Sequence, residues 1–189
     1  MKKEIESSLN ESISIKSELL SSSVDSIAQI ANILVEAFRT GHSLYLMGNG
    51  GSAADAQHLA GELVGRFKKN REPLPALALT TDTSVLTAIA NDFGYDHCFE
   101  RQVDAFVKGG DVLIGLSTSG NSLSIINAGL VAKKKGATTI AFTGKGGGSL
   151  KDNVDVCLEI PSTDTARIQE CHITIGHILC SIIEKDLFG

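Results

Sequence analysis

The sequence lacks an excess of positive charge. Its 17 lysines and arginines stand against 22 aspartates and glutamates, a net charge of -5, which supplies no basic field for nucleic acid or an anionic membrane. Neither is expected as a partner. It also lacks paired cysteines: Cys98, Cys157, Cys171 and Cys180 form no C-x-x-C pair and no close zinc-finger spacing, so they read as reduced, mostly buried thiols of a cytoplasmic protein. There is no apolar run of membrane-spanning length, and Met1 to Glu6 leads into a charged, serine-rich segment without an apolar core. Neither a signal peptide nor a membrane span is expected. Internal repeats, long linkers and low-complexity tracts are absent too. The run Gly144-Lys145-Gly146-Gly147-Gly148-Ser149 does not follow the order G-x-x-x-x-G-K-[ST] of a nucleotide loop, and reads as a flexible surface loop.

What is there is 189 residues with 42% apolar and 21% charged content, the balance of a soluble globular protein. That length suits a single domain, residues 1–189, with a core of its own. Ile5, Leu9, Ile13, Leu20, Val24, Ile27, Leu34 and Phe38 mostly follow three- and four-residue steps, so about 4–40 read as amphipathic helix with a break near Ser21-Ser22-Ser23. Such a helix has more apolar face than one small sheet needs, and that points to another subunit. In the core, about 41–189, strands are expected at 44–47, 74–79, 111–116, 138–142 and 156–160. A short helix runs towards Asn91-Asp92, another ends near Lys135-Gly136, and a final one spans 163–184. Strands alternating with helices predict an α/β layered fold with a mostly parallel sheet.

The chain is organised around Gly48 to Arg66, where a short apolar strand is followed by Asn49-Gly50-Gly51-Ser52 and a helix. Ser52 is expected to cap that helix. His58 and Glu62 are four apart on it and share a face, with Arg66 four further on. An imidazole and a carboxylate one turn apart make a metal or acid-base pair. Arg66 can meet an anionic or hydroxylated substrate or pair with a carboxylate. A second polar loop, Ser117-Thr118-Ser119-Gly120-Asn121-Ser122, offers hydroxyls and free N–H groups at a helix start, a cradle for one phosphate monoester. Both loops leave strand ends and should face one crevice. Gln169, His172 and His177 stand among the isoleucines of the last helix, where an unpaired polar group is costly. At least one of them should have a partner. Gln169 and His177 are about 12 Å apart along a straight helix, so one site using both is expected to draw on two subunits. Asp92 reads equally as a turn residue or a functional one, and Cys180 as a core thiol rather than a metal ligand.

The motifs G-N-G-G-S-A-A-D-A-Q-H-x-x-x-E-L-x-G-R (Gly48 to Arg66), A-N-D-F-G-Y (Ala90 to Tyr95), S-T-S-G-N-S (Ser117 to Ser122) and R-I-Q-E-x-H-I-x-x-x-H (Arg167 to His177) resemble the phosphoheptose isomerases of the sugar isomerase (SIS) fold. The likeness runs from about Gly41 to Leu187. It implies a three-layer αβα sandwich of flavodoxin-like type with a five-stranded parallel sheet, an added N-terminal helix, and a homotetramer with active sites between subunits. The implied reaction converts sedoheptulose 7-phosphate to D-glycero-D-manno-heptopyranose 7-phosphate, the first step towards the heptoses of lipopolysaccharide and other surface glycans. The implied metal site, for one Zn(2+) per subunit, is His58, Glu62, Gln169 and His177. Glu62 and His177 are the implied catalytic pair. Asn49, Gly50, Gly51, Asn91, Asp92, Ser117, Thr118, Ser119, Ser122 and Gln169 are the implied substrate contacts, with Ser52, Glu62 and Arg66 joined to them. Ala166 stands where some members carry an acidic residue, and Asp164 or Thr165 is a candidate to replace it. The alternative is a non-catalytic SIS-domain binding protein of the type that associates with the replication initiator DnaA. Such relatives lack the helix carboxylate that Glu62 supplies here.

Overall fold

The computed structural model describes residues 1–189. Two helices come first, α1 (Lys2–Ser22) and α2 (Val24–Arg39), broken at Ser23 as the serine run predicts. Then follow β1 (Leu44–Gly48), α3 (Gly51–Val64), β2 (Ala76–Ala78), α4 (Thr83–Phe93), α5 (Glu100–Phe106), β3 (Val112–Ser117), α6 (Leu123–Lys134), β4 (Thr138–Thr143), β5 (Val156–Glu159) and α7 (Thr165–Phe188). The five strands pair in parallel in the order β2-β1-β3-β4-β5. This is the doubly wound arrangement that the layered pattern and the resemblance both imply.

The period-two alternation of the strands builds two cores. Leu44 and Leu46, Val112, Ile114 and Leu116, and Ile140 and Phe142 point to one face, where α2, α3, α7 and the end of α1 cover them. Met47, Leu113 and Ala141 point to the other face, under α5 and α6. Successive side chains of a strand leave on opposite sides, so a strand buried on both faces must be apolar throughout. β3 is buried at all six positions.

Several boundaries differ from expectation for identifiable reasons. β2 is three residues rather than six, because only Ala76 to Ala78 pair with β1. α5 was not anticipated. Its signal was Phe99, Val103 and Val107, four apart and each nearly inaccessible, but seven residues give too little pattern to stand out. Ser52 does not cap α3. That helix begins two residues earlier than a Ser52 cap would set it, at Gly51 after Gly50 at φ +56°, and the Ser52 side chain is buried inside its first turn. The caps that do form are aspartates: Asp82 accepts from the Val85 N–H, and Asp164 from those of Ala166 and Arg167.

The glycine run after β4 is not a free loop. Its exposed members are Lys145, Gly146 and Ser149, whereas Gly147 and Gly148 lie against the β3 loop. A Cβ on Gly148 would come within 2.6 Å of the Ser119 carbonyl. Asn121 accepts from both the N–H and the hydroxyl of Ser149, at 2.9 Å each. Close backbone approach, not flexibility, explains these glycines.

Candidate active site

β1 and β3 are direct neighbours, with Gly48 opposite Leu116. The helix after β1 covers one face of the sheet and the helix after β3 covers the other. The loops therefore part at the strand ends and leave a crevice, the switch point at which open α/β sheets bind ligands. Both polar loops of the sequence lie there. Asn49 spans them: its amide donates to the Ser124 hydroxyl at the start of α6 (3.2 Å), and its carbonyl accepts from the Tyr95 hydroxyl (2.7 Å). Tyr95 brings the end of α4, with the exposed pair Asn91 and Asp92, towards the same crevice. The Asn91 amide donates to Asp92 at 2.8 Å.

On the β3 side the chain turns through Gly120, whose N–H returns to the Ser117 carbonyl. The Ser117 hydroxyl donates to that of Ser122 (3.3 Å), and the Ser119 hydroxyl accepts from the Asn121 N–H (3.2 Å). Ser122 opens α6 without a side-chain cap bond, and the N–H groups of Ser119, Ser122, Leu123 and Ser124 have no acceptor within the chain. Free N–H groups at a helix start, beside hydroxyls, favour an anion.

On the β1 side, His58 and Glu62 share a face of α3 as their spacing requires. The His58 Nε2 lies 3.2 Å from a Glu62 oxygen and 2.8 Å from the Nε2 of His177, which α7 brings in from 119 residues away. Ligand atoms of His58, Glu62 and His177 all fall within 4.8 Å of one another. Two imidazoles and a carboxylate are zinc-type donors, and three protein ligands leave a position open to substrate or water. Gln169 is not in this group. Its amide lies over the glycine turn, donating to the Ser52 hydroxyl at 3.5 Å, and a Cβ on Gly51 would meet it at 2.7 Å. The two turns of helix between Gln169 and His177 keep them at separate points within one chain. Arg66 is exposed and makes no ion pair. His172 lies outside the site altogether: it is fully buried against Phe142, with Nε2 on the Thr143 carbonyl and Nδ1 unpartnered.

Three neighbours of the site were not singled out in the sequence. Tyr95 closes the A-N-D-F-G-Y motif, and its spacing alone gives it no role. Asp55 sits one turn before His58, with one carboxylate oxygen buried and unpaired. Burial pushes its pKa up, against the opposing pull of His58. Phe67 stacks on the His177 ring, centroids 5.6 Å apart and planes 19° from parallel.

A family model for the SIS domain matches residues 9–144. The phosphoheptose isomerase of Roseiflexus sp. is 54% identical over 177 residues, covering 94% of this chain and 90% of its own length. The chain belongs to the phosphoheptose isomerase family. The Sulfurimonas denitrificans phosphoheptose isomerase is 51% identical across 100% of this chain and 98% of its own. The structure of the Neisseria gonorrhoeae phosphoheptose isomerase superposes with a TM-score of 0.93 at 42% identity, covering 97% of this chain and 98% of that one. Family membership makes the chain a sugar-phosphate isomerase of SIS fold. An isomerase then takes precedence over a purely binding module as the reading of the chain.

Proposed function

We propose that the chain interconverts sedoheptulose 7-phosphate and D-glycero-D-manno-heptopyranose 7-phosphate, supplying heptose precursors for surface glycans in the cytoplasm. The observation that carries this reading is the meeting of Glu62 and His177 in a chain that also carries a hydroxyl-rich anion cradle after β3. Moving a carbonyl between C2 and C1 requires one group to shift a carbon-bound proton and another to shift a proton between the oxygens. Glu62 takes the C1 proton to give an enediol and returns a proton to C2, while His177 serves the oxygens. Ser117, Thr118, Ser119, Ser122 and the start of α6 hold the phosphate, so the reacting end reaches the pair already oriented. Asn49, Gly50, Gly51, Asn91, Asp92, Arg66 and Gln169 meet the hydroxyls between, while Ser52, buried in the first turn of α3, holds the Gln169 amide instead of the sugar. Asp164 is committed to capping α7, which leaves Thr165 to face the sugar where Ala166 has no polar group.

The donor set suits a zinc ion on His58, Glu62 and His177, with Gln169 reaching it as a further ligand from a neighbouring subunit, since within one chain it lies over the glycine turn. When bound, zinc supplies Lewis-acid polarisation of the substrate oxygens. The same reading makes the protein a homotetramer with active sites between subunits. Its support is the exposed apolar row Ile5, Leu9, Ile13, Leu20 and Val24 on the N-terminal helices, together with exposed Ile178 and Ile182 beside His177. An open groove of about 410 Å³ runs past His177, Ile178 and Ile182. Replacing Glu62 by Gln keeps the side chain's size and removes the base. Turnover should fall by about 100-fold or more while a sugar phosphate still binds by calorimetry; unchanged turnover would remove Glu62 from the mechanism.

A further inference from the structure

Seven residues beyond His177 on α7 lies Glu184, a carboxylate only 2% exposed. One oxygen accepts the N–H of Phe67 (2.9 Å) and the Nε of Arg71 (3.1 Å); the other accepts the N–H groups of Lys68 (2.9 Å) and Lys69 (3.0 Å). Four donors nearly exhaust its capacity. Arg71 is as buried as its partner. Three further donors go to the carbonyls of Leu63 (2.6 Å), Glu72 (3.0 Å) and Glu62 (2.9 Å). Two of the last carbonyls of α3, groups that a helix end leaves without intrahelical partners, thus accept from a guanidinium that α7 holds in place, Leu63 sharing its oxygen with the Leu74 N–H. The segment in between carries Phe67, and its ring lies flat on His177.

A buried ion pair is a poor source of stability compared with apolar side chains of the same volume, because desolvation consumes most of the attraction. It is rigid and directional, however. This one ties the end of α3, which carries Glu62, to α7, which carries His177, and sets an aromatic face against the histidine. We infer that Glu184, Arg71 and Phe67 form a positioning joint that fixes the Glu62 carboxylate and the His177 imidazole relative to each other. None of the three touches the reacting atoms. The inference rests on the reading of Glu62 and His177 as the acid-base pair.

The test uses the full chain with Phe67→Leu, Phe67→Tyr and Glu184→Gln, measuring kcat and KM for the sugar phosphate and the NMR signals of the His177 ring. Leu keeps the bulk of Phe67 without its flat face, and Gln turns an amide donor towards N–H donors. The joint predicts that Phe67→Leu lowers kcat by about tenfold or more, since misplacement of around 1 Å costs about 100-fold. KM should stay within about twofold, because the anion cradle is on β3. The His177 ring protons should move downfield as the stacked ring is lost, and Phe67→Tyr should restore both readouts. Glu184→Gln, where folded, should follow Phe67→Leu. A folded Phe67→Leu protein with unmoved His177 signals, with unchanged kcat, or with KM rising as kcat falls would overturn the inference. A wild-type chain that fails to isomerise would refute the reading of the pair instead, and the His177 signals alone would then decide whether the joint exists.

Discussion

His172 makes a prediction that does not depend on catalysis. It is inaccessible, has one nitrogen without a partner, and burial holds its pKa down to about 4, outweighing the pull of the Thr143 carbonyl. Between its ordinary value of 6.5 and about 4, the unfolded chain takes up a proton that the folded chain refuses, so stability is lost as pH falls through that window. The loss amounts to roughly 3 kcal/mol by pH 4. Glu184 acts lower on the scale. Burial raises its pKa, but the N–H groups of Lys68, Phe67 and Lys69 and the charge of Arg71 outweigh this and leave it below the ordinary glutamate value. Its contribution is present above that value and disappears as pH falls further. Urea unfolding at stepped pH should show the His172 slope in the wild type and not in His172→Gln; equal slopes in the two would refute the assignment. At this scale the sequence revealed what lies on one helix, such as His58 with Glu62. It did not reveal Tyr95 on Asn49 or Phe67 on His177, because those contacts depend on how separate elements come together.

At the scale of elements, strands alternating with helices were legible because each is long enough to repeat its own period. The break at Ser23 was legible because serines interrupt a steady apolar spacing. α5 was too short to announce itself, and Gly147 and Gly148 looked like slack because their partner, the Ser119 to Asn121 turn, lies more than twenty residues away. That packing yields a prediction. Gly120 sits at φ +66°, and a Cβ there would fall on the Gly147 carbonyl. Gly120→Ala should therefore distort the anion cradle more than the chemistry, since a left-handed residue with a side chain costs about 1–2 kcal/mol before any clash is counted. Steady-state kinetics should show KM for the sugar phosphate raised about tenfold with a smaller change in kcat. A change confined to kcat would contradict the role given to this turn.

At the scale of the whole molecule, the exposed apolar row on α1 has no counterpart within the chain. Ile5, Leu9, Ile13 and Leu20 are each more than half exposed, whereas Ile15 and Leu19 on the same helix reach the core. Burying such a row in a neighbouring subunit would be worth about 25 cal/mol per Å² of apolar surface, so charges placed in it should break the proposed tetramer. Leu9→Glu combined with Ile13→Glu should reduce the mass measured by light scattering to that of smaller species, with activity falling in step. A monomeric wild type with full activity would refute the interfacial site.

The proposed reaction moves a proton between two carbons of a phosphorylated heptose. The direct measurement follows sedoheptulose 7-phosphate by NMR in heavy water, with purified chain stripped of metal and then with zinc restored. The aldoheptose phosphate should appear carrying deuterium at C2, formed faster once zinc is back. A folded, associated protein that produces no aldoheptose phosphate under either condition would contradict it.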